Sequence, residues 1–474
     1  YKIMRKSLYA SVILFVLGIG ACSDDDDVQG GGDDEYGYDD GAVLADDAIP
    51  QTIPHQSYFI ANEDWFGHEM GSCNRFYPEK DTIVYRCFRK ANPGKTLGVT
   101  TQFAMNWGGY IYFMSKQAPR LVIADAETLE EKISFNVIDG DGRGCLGVDV
   151  KTVYVATTNG IRIFRVNKWA FGGFVKGTSS ATGDLYEGQI GDMVRAGDYV
   201  FAALQGKGVL VIDPVAHEVK KVIEVEMPGA LCVDKEGYLW TSAKEKELWR
   251  IDPYTCEIVK QLKVAKAPSV GWGAWRPSSL CASTQKNVIY WNIGTAGIAG
   301  STGNQEYRYD IDKDEMGPIN GVSGYGVSRV ETLIDVIVNC GGGTYDGTTG
   351  EQVSSMKILG GLTNENASYA YFFPSIPFFE DTNEPHVLVN QIILKPGEEK
   401  KICLSDQVYD ADNTSVSILK DLIFNEKQKL VTYRVERDTL YLKAGSVPGS
   451  TKFIFNVCSN GRENEKSVRV DVRE

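Results

Sequence analysis

Short apolar segments alternate with polar turns along most of the chain, and one pattern recurs. It is an apolar strand that ends at an aspartate, then a polar turn and a second strand, and residues 208–219 are its clearest copy. Pro214 fixes its own φ angle, and the Asp213 carboxylate can accept hydrogen bonds from backbone amides a residue or two on, so a tight hairpin turn is predicted. With copies at residues 74–77, 121–125, 161–166, 248–255, 307–312 and 344–349 there are seven, at the spacing of about 35–60 residues that is typical of blade repeats.

A second repeated element is an aromatic-rich strand upstream of each aspartate turn. It occurs at residues 58–62, 110–114, 153–157, 199–203, 238–242, 288–292 and 335–339. Another short strand precedes most copies, as at residues 231–233 and 280–282. Each unit therefore has four strands, labelled A to D from the inside outward, and such units around an axis form a β-propeller. The sequence predicts seven blades over residues 55–380, with six or eight still open, and residues 369–373 closing the ring against the first blade.

The repeat stops at a polar linker, residues 380–385. Residues 385–474 then show short alternating strands, among them 401–404, 430–435, 439–442, 452–457 and 468–472. About ninety residues with this pattern predict an immunoglobulin-like sandwich. The predicted fold class is all-β: a seven-bladed β-propeller followed by a C-terminal immunoglobulin-like β-sandwich.

Composition agrees with this class and restricts the partners. The chain has 474 residues, of which 43% are hydrophobic and 50 are glycine, and aromatic and β-branched residues are abundant. Its net charge is −14 and no basic stripe is present, which argues against nucleic acid as a partner.

The N-terminus has the features of a targeting segment. Basic residues at positions 2, 5 and 6 precede a short apolar stretch at residues 10–19, and Cys22 follows in a sequence that resembles the lipobox of bacterial lipoproteins. Residues 1–22 are therefore expected to be a lipoprotein signal peptide with a lipidated Cys22, the alternative being an ordinary secretory signal. The acidic run after Cys22 is similar to the signal that directs lipoproteins to the outer face of the outer membrane. Residues 23–54 are predicted to be a flexible acidic tether.

Neither cysteine nor histidine spacing indicates a metal site or a cofactor. The ten cysteines include no Cys-x-x-Cys pair, and the four histidines have no partner at zinc spacing. Cys403 and Cys458 lie in the same C-terminal segment, and whether they pair is left open. Residues 410–413 have the composition of a calcium loop, although an ordinary acidic turn explains them as well.

The predicted strand order puts the connections on two faces. The A–B and C–D turns, with their aspartates, share one face, and the B–C and D–A connections share the other. Glycines beside large polar or aromatic groups are concentrated on this second face, and such a rim suits a polar, partly flat ligand. The candidate ligand-binding residues are Trp65, His68, Gln102, Arg143, Gln189, Asp192, Trp272, Trp275, Arg276, Tyr325 and Arg329. Trp272 and Trp275 have an alternative role as wedges between blades.

Catalytic motifs are missing from the sequence: there is no Gly-x-Ser-x-Gly elbow, phosphate loop or His-Glu-x-x-His. The abundant carboxylates leave a glycosidase pair open, but the repeated aspartates have a structural explanation in the turns. A protein without enzymatic activity is therefore expected.

Three segments carry a family resemblance: residues 57–68, 189–194 and 273–275. They resemble a lipoprotein family of seven-bladed propellers (DUF5074-type) that is related to YncE-like propellers, and the similarity covers about residues 55–380. Some members look like the BtuG-like surface lipoproteins that capture cobalamin and cover a TonB-dependent outer-membrane transporter. The resemblance implies a corrinoid ligand on the B–C/D–A face, with the transporter and the outer membrane as partners. A glycan-binding surface lipoprotein and a lyase or glycosidase are the alternatives.

Overall fold

The computed structural model describes residues 42–44, 49–64, 69–179, 189–268, 280–293, 305–322, 328–339, 343–354, 356, 374–412 and 416–474. Strands dominate these residues. Those of the N-terminal and repeat regions are β1 (Ala42–Leu44), β2 (Tyr58–Asn62), β3 (Ser72–Tyr77), β4 (Thr82–Val84), β5 (Thr101–Trp107), β6 (Tyr110–Ser115), β7 (Leu121–Asp125), β8 (Glu131–Phe135), β9 (Gly142–Asp149), β10 (Thr152–Thr157), β11 (Gly160–Arg165), β12 (Ala170–Phe174), β13 (Ile190–Ala196), β14 (Tyr199–Leu204), β15 (Gly208–Asp213), β16 (Glu218–Glu224), β17 (Leu231–Val233), β18 (Leu239–Lys244), β19 (Glu247–Ile251), β20 (Ile258–Lys263), β21 (Leu280–Ala282), β22 (Val288–Asn292), β23 (Glu306–Asp310), β24 (Glu315–Pro318), β25 (Arg329–Glu331), β26 (Val336–Val338), β27 (Thr344–Asp346), β28 (Gln352–Ser354) and β29 (Pro374–Phe379).

The C-terminal strands follow a short linker. They are β30 (His386–Val387), β31 (Val389–Leu394), β32 (Glu399–Cys403), β33 (Val408–Tyr409), β34 (Ser417–Ile418), β35 (Phe424–Asn425), β36 (Val431–Glu436), β37 (Thr439–Ala444), β38 (Gly449–Ser459) and β39 (Arg462–Val472). Helix is confined to one short α-helix, α1 (Cys87–Ala91), and to 3-10 turns at Pro78–Lys80, Val166–Lys168, Ser405–Gln407 and Lys420–Leu422 among the described residues.

The repeat region forms four-stranded antiparallel sheets, as the sequence predicts. Within the described residues there are seven of them, and six consist of four consecutive strands, from β5–β8 to β25–β28. Each first strand lies at one edge of its sheet and contacts the first strand of the next sheet, and this series of contacts returns to its start. We call these edge strands (β5, β9, β13, β17, β21, β25 and β29) the inner strands. The all-β, propeller-type class is therefore confirmed.

The seventh sheet joins the two ends of the repeat region. Its order is β29-β2-β3-β4, so that a late segment pairs with the earliest strand of the repeat. The segment that pairs with this first strand is Pro374–Phe379, and the predicted closing segment, residues 369–373, lies outside the described residues. Residues 375–378 of β29 are all buried, so both faces of this strand are covered. Its two prolines hide this strand in the sequence, because proline is rare inside sheets.

Four of the aspartate turns share one hydrogen-bond geometry. The Oδ1 atom of Asp213 accepts the amides of Val215 and Ala216 at 2.8 and 3.0 Å, and Asp125, Asp252 and Asp346 bind the amides two and three residues on in the same way. The fifth residue of the turn has a positive φ angle, as at His217 (54°). The next strand therefore starts at Glu218, a few residues later than the sequence analysis expects.

The C-terminal module, residues 386–474, contains two main sheets over one apolar core. One sheet has the order β32-β37-β36, and the other has β31-β39-β38 at its centre. Cys403 lies in the first sheet opposite Thr439, whereas Cys458 lies in the second opposite Ser417. Both thiols are unbridged, so the possible disulfide between them is not formed.

The segment predicted to be a flexible tether contributes a strand to this module. Ala42–Leu44 forms β1, which pairs antiparallel with β31 at the edge of the second sheet. Further along, the backbone of Ile53 forms hydrogen bonds with the side chain of Asn383 in the linker. Structure thus begins before residue 55, the predicted start of the repeat region.

The C-terminal module contacts the sheets at their A–B and C–D turns, which we call the Asp-turn face. The carbonyl of Asn460 accepts the amide of Gly108 in an A–B turn at 2.6 Å. Lys420 Nζ lies 2.8 Å from Asp198 Oδ1 in another A–B turn and 5.3 Å from the ring centre of Tyr254 in a C–D turn. The module therefore covers part of the Asp-turn face.

A buried ion pair joins the same two parts of the chain. His55 lies between Glu331, at the end of an inner strand, and Asp412 of the C-terminal module, with His55 Nε2 2.6 Å from Asp412 Oδ1. Asp412 Oδ2 also accepts the amide of Thr382 at 2.7 Å. We call His55, Glu331 and Asp412 the joint.

Candidate functional site

The inner strands begin on the face opposite the Asp-turn face, which we call the loop face because the B–C and D–A connections lie there. Several predicted site residues occupy this beginning in neighbouring sheets. Gln102 is the second residue of β5, Arg143 is the second residue of β9, and Gln189 directly precedes β13. Because neighbouring inner strands contact one another, these equivalent positions lie side by side.

Gln102, Arg143 and Gln189 form one hydrogen-bonded network. Nε and Nη2 of Arg143 both donate to Gln189 Oε1 at 3.0 Å, and Nη1 donates to the carbonyl of Gly142 at 3.2 Å. The same carbonyl accepts Gln102 Nε2 at 2.8 Å. All three side chains are buried, and Arg143 has 0% exposure. The structure therefore brings these three predicted residues together.

Gly142 is required by close packing at the centre of this network. A Cβ atom at this position would lie 2.5 Å from Met114 Cε and 2.6 Å from the carbonyl oxygen of Ser115. A side chain would push β9 away from β6 of the preceding sheet and move the carbonyl that Gln102 and Arg143 share. The glycine thus keeps the network in register.

Charged side chains surround the hydrogen-bonded network of Arg143. Burial lowers the pKa of Arg143 to about 10, with Asp141 opposing and Arg120 adding to this shift. Arg120 Nη1 is 3.0 Å from Asp141 Oδ1, so these two side chains form an ion pair. Burial also lowers the pKa of Lys116, Arg143 adds to the effect, and Asp141 and Glu63 oppose it. Both signs of charge are therefore present beside the buried guanidinium.

Lys116 and Glu63 are absent from the residues predicted from the sequence. Lys116 directly follows β6 and Glu63 directly follows β2, so each begins a B–C connection. A search for charged residues at the first position after each B strand would have found both. With Arg143 and the two glutamines they offer hydrogen-bond donors and a carboxylate in one place, which is the chemistry needed to orient a polar ligand.

Asp192 has a different environment from its neighbours in the prediction. Its Oδ1 accepts the amide of Met193 and its Oδ2 accepts the amide of Leu231 at the start of β17, both at 3.1 Å. The carboxylate thus connects two successive inner strands. A role in joining two sheets therefore explains why the Asp192 carboxylate is buried.

A second polar group surrounds Glu306 in the sheet β21–β24. The Glu306 carboxylate is buried and accepts Ser328 Oγ at 2.5 Å and Asn292 Nδ2 at 3.2 Å. Burial raises its pKa, and these two hydrogen bonds oppose the rise. The predicted residue Arg329 follows Ser328 and is half-buried. Burial raises the pKa of the nearby Cys281 thiol, the charge of Glu306 adds to this rise, and the charge of Arg329 opposes it. Glu306 was not predicted, because a single glutamate at the start of a strand carries no distinctive pattern.

The remaining predicted residues lie outside the described residues: Trp65, His68, Trp272, Trp275, Arg276, Tyr325 and the lipidation site Cys22. Their roles stay predictions.

Neither a metal site nor a membrane-spanning helix occurs in the part of the chain that the structure describes. No cluster of three or more Cys, His, Asp or Glu side chains there could hold a metal ion. At the possible calcium loop, Asp412 is engaged by His55 and by linker amides, and Asn413 is not among the described residues. No described helix has the length and apolar character to cross a membrane.

The sheets and the inner-strand network define a propeller-type all-β protein. Residues 56–380 match the model of the family described as "Domain of unknown function (DUF5074)", and the chain belongs to this family. The predicted family is thereby confirmed, whereas closeness to YncE-like or BtuG-like proteins stays a prediction.

Solved structures show distant similarity. A quinoprotein alcohol dehydrogenase-like protein from Bacteroides thetaiotaomicron is 17% identical, with 69% of this chain and 78% of that chain covered and a TM-score of 0.49. The extracellular domain of a protein described as a hybrid two-component system from the same organism is 12% identical, with 79% of this chain and 57% of that chain covered and a TM-score of 0.38. The chain thus spans less than two thirds of that second structure. No curated protein matches the chain.

Proposed function

We propose that this protein is a non-enzymatic ligand-binding lipoprotein that captures a corrinoid on its loop face. The body would be a seven-bladed propeller closed by β29, and the C-terminal module would be an immunoglobulin-like sandwich. The seven four-stranded sheets of the described residues and the closed series of inner-strand contacts support the blade number. The two sheets around one core support the sandwich.

One observation carries the placement of the binding site. The C-terminal module covers part of the Asp-turn face, through Asn460 and Lys420, while the buried Arg143 network lies at the other end of the inner strands. The contacts of the C-terminal module named above, all between described residues, are with the Asp-turn face and not with the loop face. Charged and amide side chains at this end would fix the orientation of a polar ligand.

The identity of the proposed ligand and the proposed attachment to the outer membrane both rest on the sequence. The lipobox-like residues before Cys22 and the acidic run after it support a lipid anchor on the outer face of the outer membrane. The resemblance to BtuG-like lipoproteins supports cobalamin as the ligand and a TonB-dependent transporter as the partner. The same polar rim would suit a sugar, so a glycan is the ligand to test next.

Calorimetric titration of the soluble chain that begins at Ser23, without the lipid-bearing Cys22, with cyanocobalamin tests the proposal. Binding tighter than about 1 µM, or roughly 8 kcal/mol, is expected. Lys116→Ala should weaken the affinity about ten-fold, because it removes a charge beside Arg143 on the loop face. Lys168→Ala is the matched control, since Lys168 is exposed in a C–D turn on the Asp-turn face.

Two results would count against the proposal. Absence of heat at several temperatures would exclude corrinoid capture, and retardation on polysaccharide affinity gels would then favour a glycan. Equal weakening by Lys116→Ala and Lys168→Ala would exclude the loop face as the binding site.

A further inference from the structure

The direction of β1 determines where the N-terminal segment leaves the folded body. β1 is antiparallel to β31, with Ala42 opposite Ile392 and Leu44 opposite Val389. β31 is in turn parallel to β39, where Ile392 lies beside Val470. The chain therefore arrives at the level of Val470 and runs along β1 toward the joint at His55.

The level of Val470 is remote from the Asp-turn face. The turn between β38 and β39 contacts that face at Gly108, and β39 starts there with Arg462. From Arg462 to Val470 the strand advances eight residues, or about 26 Å. We call the end of the C-terminal module near Val470 its outer end. The loop face lies on the other side of the sheets, a further 20 Å or so along β5.

We propose that the outer end of the C-terminal module faces the membrane and that the loop face points away from it, toward the medium. This inference rests on the proposed function, which supplies the lipid anchor at Cys22. The partner of the outer end is then a lipid surface. The candidate site would receive its ligand from the medium before any contact with a protein in the same membrane.

Covalent geometry favours this orientation over the inverted one. Nineteen residues, 23–41, separate Cys22 from β1, and a chain of that length reaches at most about 65 Å. To bring the loop face to the membrane, the chain would have to run back along about 45 Å of folded body. The inverted orientation therefore uses most of the available reach.

The charge of the outer end also suits a lipid surface. Its connections and the chain terminus contain four basic and three acidic residues: Lys395, Lys427, Lys429 and Arg473 against Glu398, Glu426 and Glu474. The whole chain has a net charge of −14. Repulsion from anionic headgroups is therefore weaker at this end than the total charge implies.

Energy transfer on vesicles tests the orientation. The soluble chain from Ser23 carries an N-terminal hexahistidine in place of the lipidated Cys22, and it is held on nickel-chelating vesicles that contain an acceptor-labelled lipid. A donor dye is attached through a ketone-bearing amino acid at Val447 or at Val137. Both positions are exposed: Val447 lies at the outer end, and Val137 lies in a D–A connection on the loop face.

Energy transfer from position 447 should exceed that from position 137 by about two-fold or more, given a height difference of about 45 Å. Equal or reversed transfer would overturn the proposal. Replacement of residues 42–44 by Gly-Ser-Gly should bring the two values closer, and an unchanged ratio would overturn the role of β1. Because the hexahistidine replaces the lipid, this experiment reports the orientation and does not depend on lipidation. Failure of the full chain to acquire a lipid at Cys22 would count against the anchor and not against the orientation.

Discussion

The guanidinium of Arg143 donates two hydrogen bonds to the side-chain oxygen of Gln189, although the two residues are 46 positions apart. Arg143 belongs to one sheet and Gln189 precedes the inner strand of the next. The pair therefore connects two sheets and holds a fully buried positive charge at the loop face. A fully buried charge depends strongly on the acceptors that hold it, because burial removes it from water.

Gln189→Ala should lower the free energy of unfolding by about 1–3 kcal/mol, because a buried guanidinium loses an acceptor. Urea denaturation measures the change. The control is Gln261→Ala on the outer strand β20, where the side chain is exposed and a change within about 0.5 kcal/mol is expected. Equal losses in the two variants would show that the Arg143–Gln189 hydrogen bonds contribute nothing specific.

Local chemistry explains why the strands and aspartate turns could be predicted. Asp213 binds amides two and three residues away, so its role is contained in a few consecutive letters of sequence. The position of Gln102, Arg143 and Gln189 on one face also followed from strand alternation and the repeat. Their mutual hydrogen bonds did not, because these depend on how neighbouring sheets pack.

Contacts between distant segments account for what the sequence analysis missed. The joint connects residues 55, 331 and 412, and no periodic pattern relates such positions. The same holds for β1, whose three residues acquire a partner only when β31 is folded. Docking of the C-terminal module on the Asp-turn face could therefore not be derived from the strand pattern of either part.

Close approach at Gly461 should make docking of the C-terminal module sensitive to a single methyl group. A Cβ atom there would lie 2.7 Å from both Gly108 N and Trp107 Nε1. Gly461→Ala should lower the free energy of unfolding by about 2–4 kcal/mol, because both backbone strain and a clash between the two parts of the chain oppose it.

Gly397→Ala is the matched control for this prediction. Gly397 has a φ angle of 78°, close to the 77° of Gly461, but nothing lies within 4 Å of its Cβ position. It should cost only the backbone strain, about 1 kcal/mol. Urea denaturation of both variants separates the two effects, and similar losses would mean that the contact with Gly108 is not close in solution.

The aspartate turns should contribute stability that is lost in acid. Hydrogen bonds from the amides of Ala216 and Val215, and the charge of Lys220, lower the pKa of Asp213. Since the folded pKa is below the unfolded value of about 3.9, the contribution is present above that value and disappears as the pH falls through the folded pKa.

Asp213→Ala should therefore reduce the free energy of unfolding at pH 7 by about 0.5–1.5 kcal/mol, and the difference from the wild type should shrink below about pH 4. Urea denaturation between pH 2.5 and 7 measures it. Glu426→Ala, which removes an exposed carboxylate in the C-terminal module, is the control. A difference for Asp213→Ala that persists unchanged at the lowest pH would contradict an ionised acceptor.

The joint should respond to alkaline pH through His55. Burial alone would lower the pKa of His55, but hydrogen bonds and charge from Asp412 and Glu331 raise it to about 10. Asp381, Asp410 and Arg462 lie in the next layer around Asp412. Because the folded pKa exceeds the unfolded value of about 6.5, the stabilisation is complete below pH 6.5 and is lost as the pH rises through 10.

His55→Gln should therefore destabilise the protein most at pH 6, by about 1–3 kcal/mol, since two buried carboxylates lose their cation. The deficit relative to the wild type should decrease steadily from pH 6.5 to pH 10, where the wild-type imidazole itself loses its proton. Urea denaturation at half-unit steps across this range measures the trend. His386→Gln, a substitution on β30 outside the joint, serves as the control, and the same trend in both variants would assign the pH dependence to a group other than His55.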